Sequence, residues 1–387
     1  MTTQQDKQDA EFMARTLYLA HLGLYTTDPN PRVGCVLVKD GRVIGEGWHK
    51  RAGLAHAEVE ALIDAANATE GTTGATAYVT LEPCSHHGRT PPCCETLVKA
   101  GIKRVVAAMQ DPNPKVSGNG FACLKAAGIE VSCGVLEEDA RVLNRGFITR
   151  MTENRPFVRS KLAMSLDGRT AMASGESQWI TSPDARADVH RLRAESSAIL
   201  TGINTVLADD PYLTARIDKE VVQPIRVVLD SNLQMPVTAN MLTLPGRTLI
   251  LTCNRTTAVR PESFDSTQEG PVEGHTDKLQ ELQKAGAEVY QLPENQGRLD
   301  LVEVMKFLAG QEINEVLVEA GAVLNGALLA ENLVDEWIIY IAPCILGNQG
   351  RGLFALPRLQ KLTDKKLIRF QDVRHFGQDL KLTLTPH

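Results

Sequence analysis

Apolar runs of strand character alternate with helix-like stretches from residue 33 to residue 342, and this alternation constrains the fold more than any other feature of the chain. VGCVLV (33–38) and RVIGEGW (42–48) read as a hairpin across Asp40-Gly41. HAEVEALIDAA (56–66) spaces its apolar residues as a helix does. Further helices are expected over 9–22, 94–101, 119–127 and 137–150, and strands over 77–83, 103–109 and 129–135. A polar break, Glu153-Asn154-Arg155-Pro156, then interrupts the pattern. A second run follows, with strands expected at 156–165, 198–202, 224–231, 247–253, 287–292, 314–320 and 336–342. Its helices are expected at 183–195, 275–285, 300–310 and 321–331, with a Thr-, Pro-, Glu- and Gly-rich surface loop over 254–274. Alternation of this kind builds a sheet with helices on its faces, so the fold class is α/β. The break lies near 146–156, and two domains are expected, 1–146 and 147–387.

The charge excludes one function class. The formal net charge is −6 and aromatic residues make up 5% of the chain, whereas a nucleic-acid binder needs a basic surface and stacking platforms. A hydrophobic fraction of 43% against 23% charged excludes disorder. There is no apolar run of membrane-spanning length, and MTTQQDKQDAEF lacks the basic and apolar regions of a signal peptide, so a cytoplasmic protein is expected. A homo-oligomer is also expected.

His56-Ala57-Glu58 opens one helix, Pro83-Cys84 closes a strand, and Cys93 opens the next helix. Zn²⁺ takes about four thiolate and imidazole ligands, and a catalytic site leaves one position to water. His56, Cys84 and Cys93 supply three, and a thiolate at a helix N-terminus is favoured by the helix dipole. Glu58 leaves the helix start on a different side from His56 and is placed to face that water. The order H-x-E…P-C…C is that of zinc deaminases, in which the Glu shuttles protons. The usual second half is P-C-x-x-C, whereas here SHHGRTPP separates the two cysteines. A structural zinc site with Cys94, His86 or His87 as fourth ligand stays open at this point. Cys35, Cys123, Cys133, Cys253 and Cys344 lie in apolar stretches and are expected to be buried.

The strings DPNPRVGCVLV (28–38), HAEVEAL (56–62) and LEPCSHHGRTPPC (81–93) resemble the deaminase half of the bacterial bifunctional riboflavin-biosynthesis deaminase/reductase family. The resemblance implies a cytidine-deaminase-like α/β/α sandwich, one zinc held by His56, Cys84 and Cys93, Glu58 as proton donor, and Asn30 at the pyrimidine. A plain turn role for Asn30 between Pro29 and Pro31 stays open. His86, His87 and Arg89, with Asp111-Pro112-Asn113-Pro114-Lys115, are candidates for a ribose 5-phosphate, Arg and Lys being suited to charge-assisted bonds.

The second half lacks G-x-G-x-x-G. It offers Val318 to Gly326, a strand running into a Gly-bearing helix start, where main-chain N–H groups and the helix dipole suit a pyrophosphate. KLAMSLDGRTA (161–171), the 174–216 segment and RVVLDS (226–231) resemble the reductase half of the same family, which is dihydrofolate-reductase-like in fold. That resemblance implies NADPH and a phosphoribosyl-pyrimidine substrate. It places Ala163, Trp179, Thr205, Asp209, Ser231 and the stretch Gly321, Ala322, Val323, Leu324, Asn325, Gly326 and Ala327 at the cofactor. Ser177, Arg193, Leu213, Arg216 and Glu319 fall at the substrate. Packing roles for Trp179 and a solvated role for Arg193 stay open. A base deaminase of nucleic acid and a non-catalytic zinc module fused to a nucleotide sensor are the competing readings, and substitution of Glu58 separates the sensor.

Overall fold

The computed structural model describes residues 3–86, 91–253, 273–356 and 359–387. His87, Arg89 and residues 254–272 of the loop expected over 254–274 lie outside the described residues, and residues 273 and 274 open a helix instead. The chain divides into two compact units, Met1–Arg155 with Glu220–Val222, and Pro156–Lys219 with Gln223–His387. Among the described residues no helix is long and apolar enough to cross a membrane.

The first unit runs α1 (Gln4–Leu22), β1 (Gly34–Lys39), β2 (Arg42–Trp48), α2 (Ala57–Asn67), β3 (Thr76–Val79), α3 (Cys93–Lys99), β4 (Arg104–Ala107), α4 (Asn119–Ala126), β5 (Glu130–Cys133), α5 (Glu137–Leu143) and α6 (Arg145–Glu153). Its sheet has the order β2-β1-β3-β4-β5, antiparallel across β1 and parallel from β3 onward. Alternate residues of each strand point to opposite faces. Cys35, Leu37, Val79 and Val105 therefore pack against α2, α3 and α4, while Val36, Tyr78 and Val106 pack on the opposite face with Met13 and Leu19 of α1 and Ala140 of α5. The result is a three-layer sandwich. Gly47 brings α2 onto the sheet, since a Cβ there would lie 2.4 Å from the Ala61 nitrogen. Buried beneath α1, Asp9 accepts two bonds from Arg104 at 2.8 and 2.7 Å and one from the Tyr78 hydroxyl at 2.8 Å.

Three expectations fail here. The single helix expected over 137–150 is broken at Asn144, whose side chain accepts from the Arg32 main-chain N–H at 2.8 Å and donates to the Arg32 carbonyl at 3.0 Å. The division expected after residue 146 falls inside α6, because Phe147 and Ile148 pack on the first unit's core and carry that unit to Arg155. Cys133, expected to be buried, is exposed because β5 is an edge strand.

The second unit contains β6 (Phe157–Ser165), β7 (Arg169–Ala171), α7 (Pro183–Glu195), β8 (Ala198–Gly202), α8 (Ile203–Asp209), β9 (Ile225–Leu229), β10 (Thr248–Cys253), α9 (Glu273–Lys284), β11 (Glu288–Leu292), β12 (Glu294–Asn295), β13 (Arg298–Leu299), α10 (Leu301–Gly310), β14 (Glu315–Val318), α11 (Ala322–Ala330), β15 (Glu336–Ala342), β16 (Arg351–Gly352), β17 (Ile368–Phe376) and β18 (Asp379–Pro386). Nine strands form its sheet in the order β11-β10-β9-β8-β14-β6-β15-β18-β17. The seven strands from β11 to β15 are parallel, and β18 and β17 close the edge antiparallel. One face carries α10 and α11 over Val227, Leu249 and Val316; the other carries α7, α8 and α9 over Leu317, Val228 and Ile250. Because β14 returns between β8 and β6, the order of the strands reverses there. In open α/β sheets ligands bind outside the carboxyl ends of the strands at such a point.

Candidate active sites

In the first unit, His56 caps α2, Cys93 opens α3, and Cys84 lies on the irregular chain that follows β3. The three donor atoms lie within 4.8 Å of one another. His56 Nδ1 is 3.6 Å from Cys84 Sγ and 3.3 Å from Cys93 Sγ. Tetrahedral zinc, with bonds of about 2.3 Å to sulfur and about 2.05 Å to nitrogen, sets these pairs about 3.6 Å apart, so the donor set and its spacing fit the ion. No fourth His, Cys, Asp or Glu joins the group among the described residues. Cys94, one candidate for a fourth ligand, is buried and bonds to the Cys123 thiol instead.

The two site thiols are shifted in opposite directions. Hydrogen bonding from Cys93, then His56, brings Cys84 down to about 4, while the Cys84 bond and burial push Cys93 up. The Glu58 carboxyl, on the first turn of α2, is 3% exposed and hydrogen-bonds Cys93. Burial, then the Cys84 charge, raises it above the usual carboxylate range.

Asn30 is held from behind. The His49 ring donates from Nδ1 to the Ala55 carbonyl at 3.0 Å, so its Nε2 accepts from the Asn30 side chain, also at 3.0 Å. The same ring meets His56 edge-on at 5.4 Å, one imidazole away from the metal ligands. The sequence reading missed His49, a lone histidine at a strand end with no spacing to mark it. It also missed Glu82, a buried carboxylate accepting the main-chain N–H groups of Asp111, Gly118, Gly120 and Phe121. Glu82 thereby fixes the 111–118 loop and ends the strand expected to reach residue 83. Lys115 on that loop is exposed.

In the second unit, Ala163 lies near the carboxyl end of β6, Thr205 and Asp209 on the helix after β8, Ser231 just beyond β9, and Gly321 just beyond β14. Parallel strands bring all of these to one edge of the sheet. Nothing lies within 4 Å of a Cβ built at Gly321, which leaves a cradle beside the first turn of α11. Gly321, Ala322, Val323, Leu324 and Ala327 all retain some exposure. Asn325 and Gly326 correct the expectation of cofactor contact. Asn325 is fully buried, donating to the Ala320 and Gly321 carbonyls and accepting from the Ser160 hydroxyl at 2.5 Å. Gly326 packs so closely that a Cβ would lie 2.2 Å from the Ala355 oxygen. Ser177 and Trp179 lie between β7 and α7 rather than at a strand end, with Trp179 exposed and the Arg186 guanidinium 4.7 Å from its ring.

The substrate candidates Arg193 and Glu319 meet as a forked pair at 2.5 and 2.9 Å, and Arg193 also donates to the Thr214 carbonyl at 3.0 Å. Burial opposes ionisation of Glu319, but Arg193 and then Lys161 outweigh it and hold the carboxyl low. Lys161, which the sequence reading passed over, is pushed down by burial and by Arg193, with Glu319 acting the other way. Arg216 projects outward from the same place, donating to the Thr214 hydroxyl at 3.1 Å. Leu213 corrects another expectation: its side chain is 3% exposed within the core, so only its main chain can face a ligand.

Two chemistries are housed on this one chain, and they define a class: a bifunctional enzyme joining a zinc-site deaminase to a nicotinamide-dependent reductase. Residues 6–109 match the cytidine and deoxycytidylate deaminase zinc-binding region, and residues 156–382 match the RibD C-terminal domain. The riboflavin biosynthesis protein RibD of Escherichia coli is 50% identical over 97% of this chain and 99% of its own length. That of Haemophilus influenzae is 49% identical over 98% of each. A solved Acinetobacter baumannii RibD superposes with a TM-score of 0.87 at 44% identity, covering 99% of each chain. A Thermotoga maritima diaminohydroxyphosphoribosylaminopyrimidine deaminase/5-amino-6-(5-phosphoribosylamino)uracil reductase does so at 0.83 and 35% identity, covering 99% of this chain and all of its own. The chain belongs to the RibD family of riboflavin-biosynthesis enzymes, with a deaminase and a reductase in series.

Proposed function

We propose that the first unit hydrolyses 2,5-diamino-6-(5-phosphoribosylamino)pyrimidin-4(3H)-one to 5-amino-6-(5-phosphoribosylamino)uracil and ammonia, and that the second reduces the ribosyl group of that product to ribityl with NADPH. The observation that carries the reading is the His56–Cys84–Cys93 triangle with the buried Glu58 carboxyl bonded to one of its corners. These three residues hold one zinc per chain. Bound zinc supplies Lewis acidity that brings the ionisation of a water towards neutral pH. Glu58 takes one proton of the attacking water for the ring nitrogen, then carries the second, from the resulting hydroxyl, to the departing amine. Asn30, its amide oriented by His49, hydrogen-bonds the pyrimidine.

NADPH supplies the hydride for C1′ of the ring-opened imine. The chain orients the two partners. Ala163, Trp179, Thr205, Asp209, Ser231 and the main chain at 321–324 hold the cofactor. Ser177, Arg193, Glu319 and Arg216 hold the substrate. Arg193 commits its fork to Glu319 and Thr214, which leaves Arg216 as the cation for the phosphate. The test follows ammonia release and NADPH oxidation separately in Glu58→Gln. Ammonia release is expected to fall by about 10²- to 10⁴-fold, the usual share of general acid–base catalysis, with reduction of supplied deaminated substrate retained. Undiminished ammonia release refutes the role of Glu58, and loss of both activities in a folded protein refutes the division between units.

A further inference from the structure

Between α7 and the 213–216 loop lies a histidine to which the reaction as derived gives no part. His190 and Arg193 are three residues apart on α7, hence on one face of the helix, and both reach the same loop. Arg193 donates to the Thr214 carbonyl, and the His190 ring bonds the Thr214 backbone. Nε2 of His190 is 3.0 Å from an Arg216 guanidinium nitrogen, and the Arg216 main-chain N–H points at Nδ1 from 3.3 Å.

Both ring nitrogens face a donor of Arg216, and a neutral imidazole accepts at one of them. The guanidinium contact is the shorter and the charged one, so Nε2 is the bare nitrogen. Nδ1 then carries the hydrogen and serves the Thr214 carbonyl. The longer main-chain contact, rather than the 3.0 Å one, is then the approach of two donors. Burial, then the Arg193 and Arg216 charges, holds the ring below the ordinary histidine range, with Glu319 opposing them, so the neutral form persists.

The loop needs such holding. Leu213 sits at φ +47°, a left-handed backbone that strains a non-glycine residue. Gln223 clamps Ala215 through reciprocal bonds of 3.0 and 2.9 Å, and Arg193 and His190 clamp Thr214. Arg216 is exposed whereas Arg193 and Lys161 are half-buried, and its long side chain would otherwise sample many rotamers.

We propose that His190 is a positioning residue for phosphate recognition, its bare Nε2 aiming the Arg216 guanidinium at the phosphate of the phosphoribosyl substrate without itself touching that substrate. The proposal rests on the reading of Arg216 given above.

The experiment uses the full chain and measures the reductase step on the deaminated phosphoribosyl substrate and on its dephosphorylated form. In His190→Ala, KM for the phosphorylated substrate is expected to rise about tenfold, the size of one hydrogen bond to a charged group. The turnover number and the kinetics on the dephosphorylated form should hold. His190→Gln, whose amide can accept from Arg216 and donate to Thr214, should restore most of the preference for phosphate. A role in folding alone would move both substrates together and lower the melting temperature, and that result overturns the proposal. Arg216→Ala separates the two readings. If it abolishes the preference while His190→Ala keeps it, the positioning role fails and Arg216 stands. If neither variant moves the preference, the reading of Arg216 has failed. An effect of His190→Ala alone would mean that His190 acts by another route, and also overturns the proposal.

Discussion

Gly321 caps α11 and Gly326 lies five residues on, inside the helix, and the structure assigns them opposite consequences on substitution. Gly321 precedes the helix with φ −75° and ψ 178°, a backbone open to any residue, and an added Cβ meets nothing within 4 Å. Gly321→Val should therefore fold, losing about 1 kcal/mol or less because Val is a poor helix cap. Binding is another matter. The first N–H groups of a helix have no partner within it, and a pyrophosphate oxygen must come to about 3 Å to take their bonds. Two methyl groups in the open cradle block that approach. Losing one charge-assisted bond costs about 1.5–3 kcal/mol, or roughly tenfold to a hundredfold in the NADPH dissociation constant. Gly326→Ala should behave in reverse. Its Cβ falls 2.2 Å from the Ala355 oxygen, and overpacking of this kind costs about 1–3 kcal/mol. NADPH titration by fluorescence and a thermal melt on each variant decide the matter. Wild-type affinity in a folded Gly321→Val protein would refute the cradle, as would a melting loss equal to that of Gly326→Ala.

Cys93→Ala leaves two ligands and should lose its zinc by metal analysis, whereas full retention would reject Cys93 as a ligand. Asp9→Asn breaks a buried ion pair, but Arg104 keeps Glu130 at 3.4 Å, so the loss in denaturant melts should sit near the lower end of the usual range, about 3 kcal/mol. Burial opposes ionisation of Asp9, but its bonds to Arg104, Tyr78 and Gln5 outweigh it and hold the group below its ordinary value. The stability it contributes is therefore complete above the unfolded carboxylate value of about 3.9 and is lost as pH falls further, through the folded value. The gap between wild type and variant should close in that acid window, and a gap that widens there would contradict the assignment. Residues 156–387 expressed alone should bind NADPH with or without a chelator, and a cooperatively folded fragment that binds none would show that the cofactor site draws on the first unit.

The metal site was legible because the identities of three side chains carry chemistry that few other arrangements use, whatever the distance between them in sequence. Parallel strands made the gathering of the cofactor candidates legible too, since positions just past β6, β8, β9 and β14 must share one end of the sheet. What escaped notice depends on partners far away. Asn144 breaks a helix for the sake of Arg32, and no local pattern announces that bond. His49 and His190 matter through what they hold. Leu213, Asn325 and Gly326 were placed at ligands, yet all three are buried, because a motif gives position along the chain but not what packs against it. The β17–β18 hairpin is a different kind of miss, since Gly377, at φ +60° between two β-rich runs, marked its turn in the sequence.

The bond between Asn144 and Arg32 also orders events on the ribosome. The loop that carries Asn30 leaves the exit tunnel early, yet it is held by Asn144 and by Arg150, which donates to the Pro29 carbonyl at 3.4 Å. His56, Cys84 and Cys93 all emerge before either of those residues. A nascent chain can therefore gather these three donors while the Asn30 loop is still unheld, and that loop is fixed only when the last helix of the unit has been synthesised.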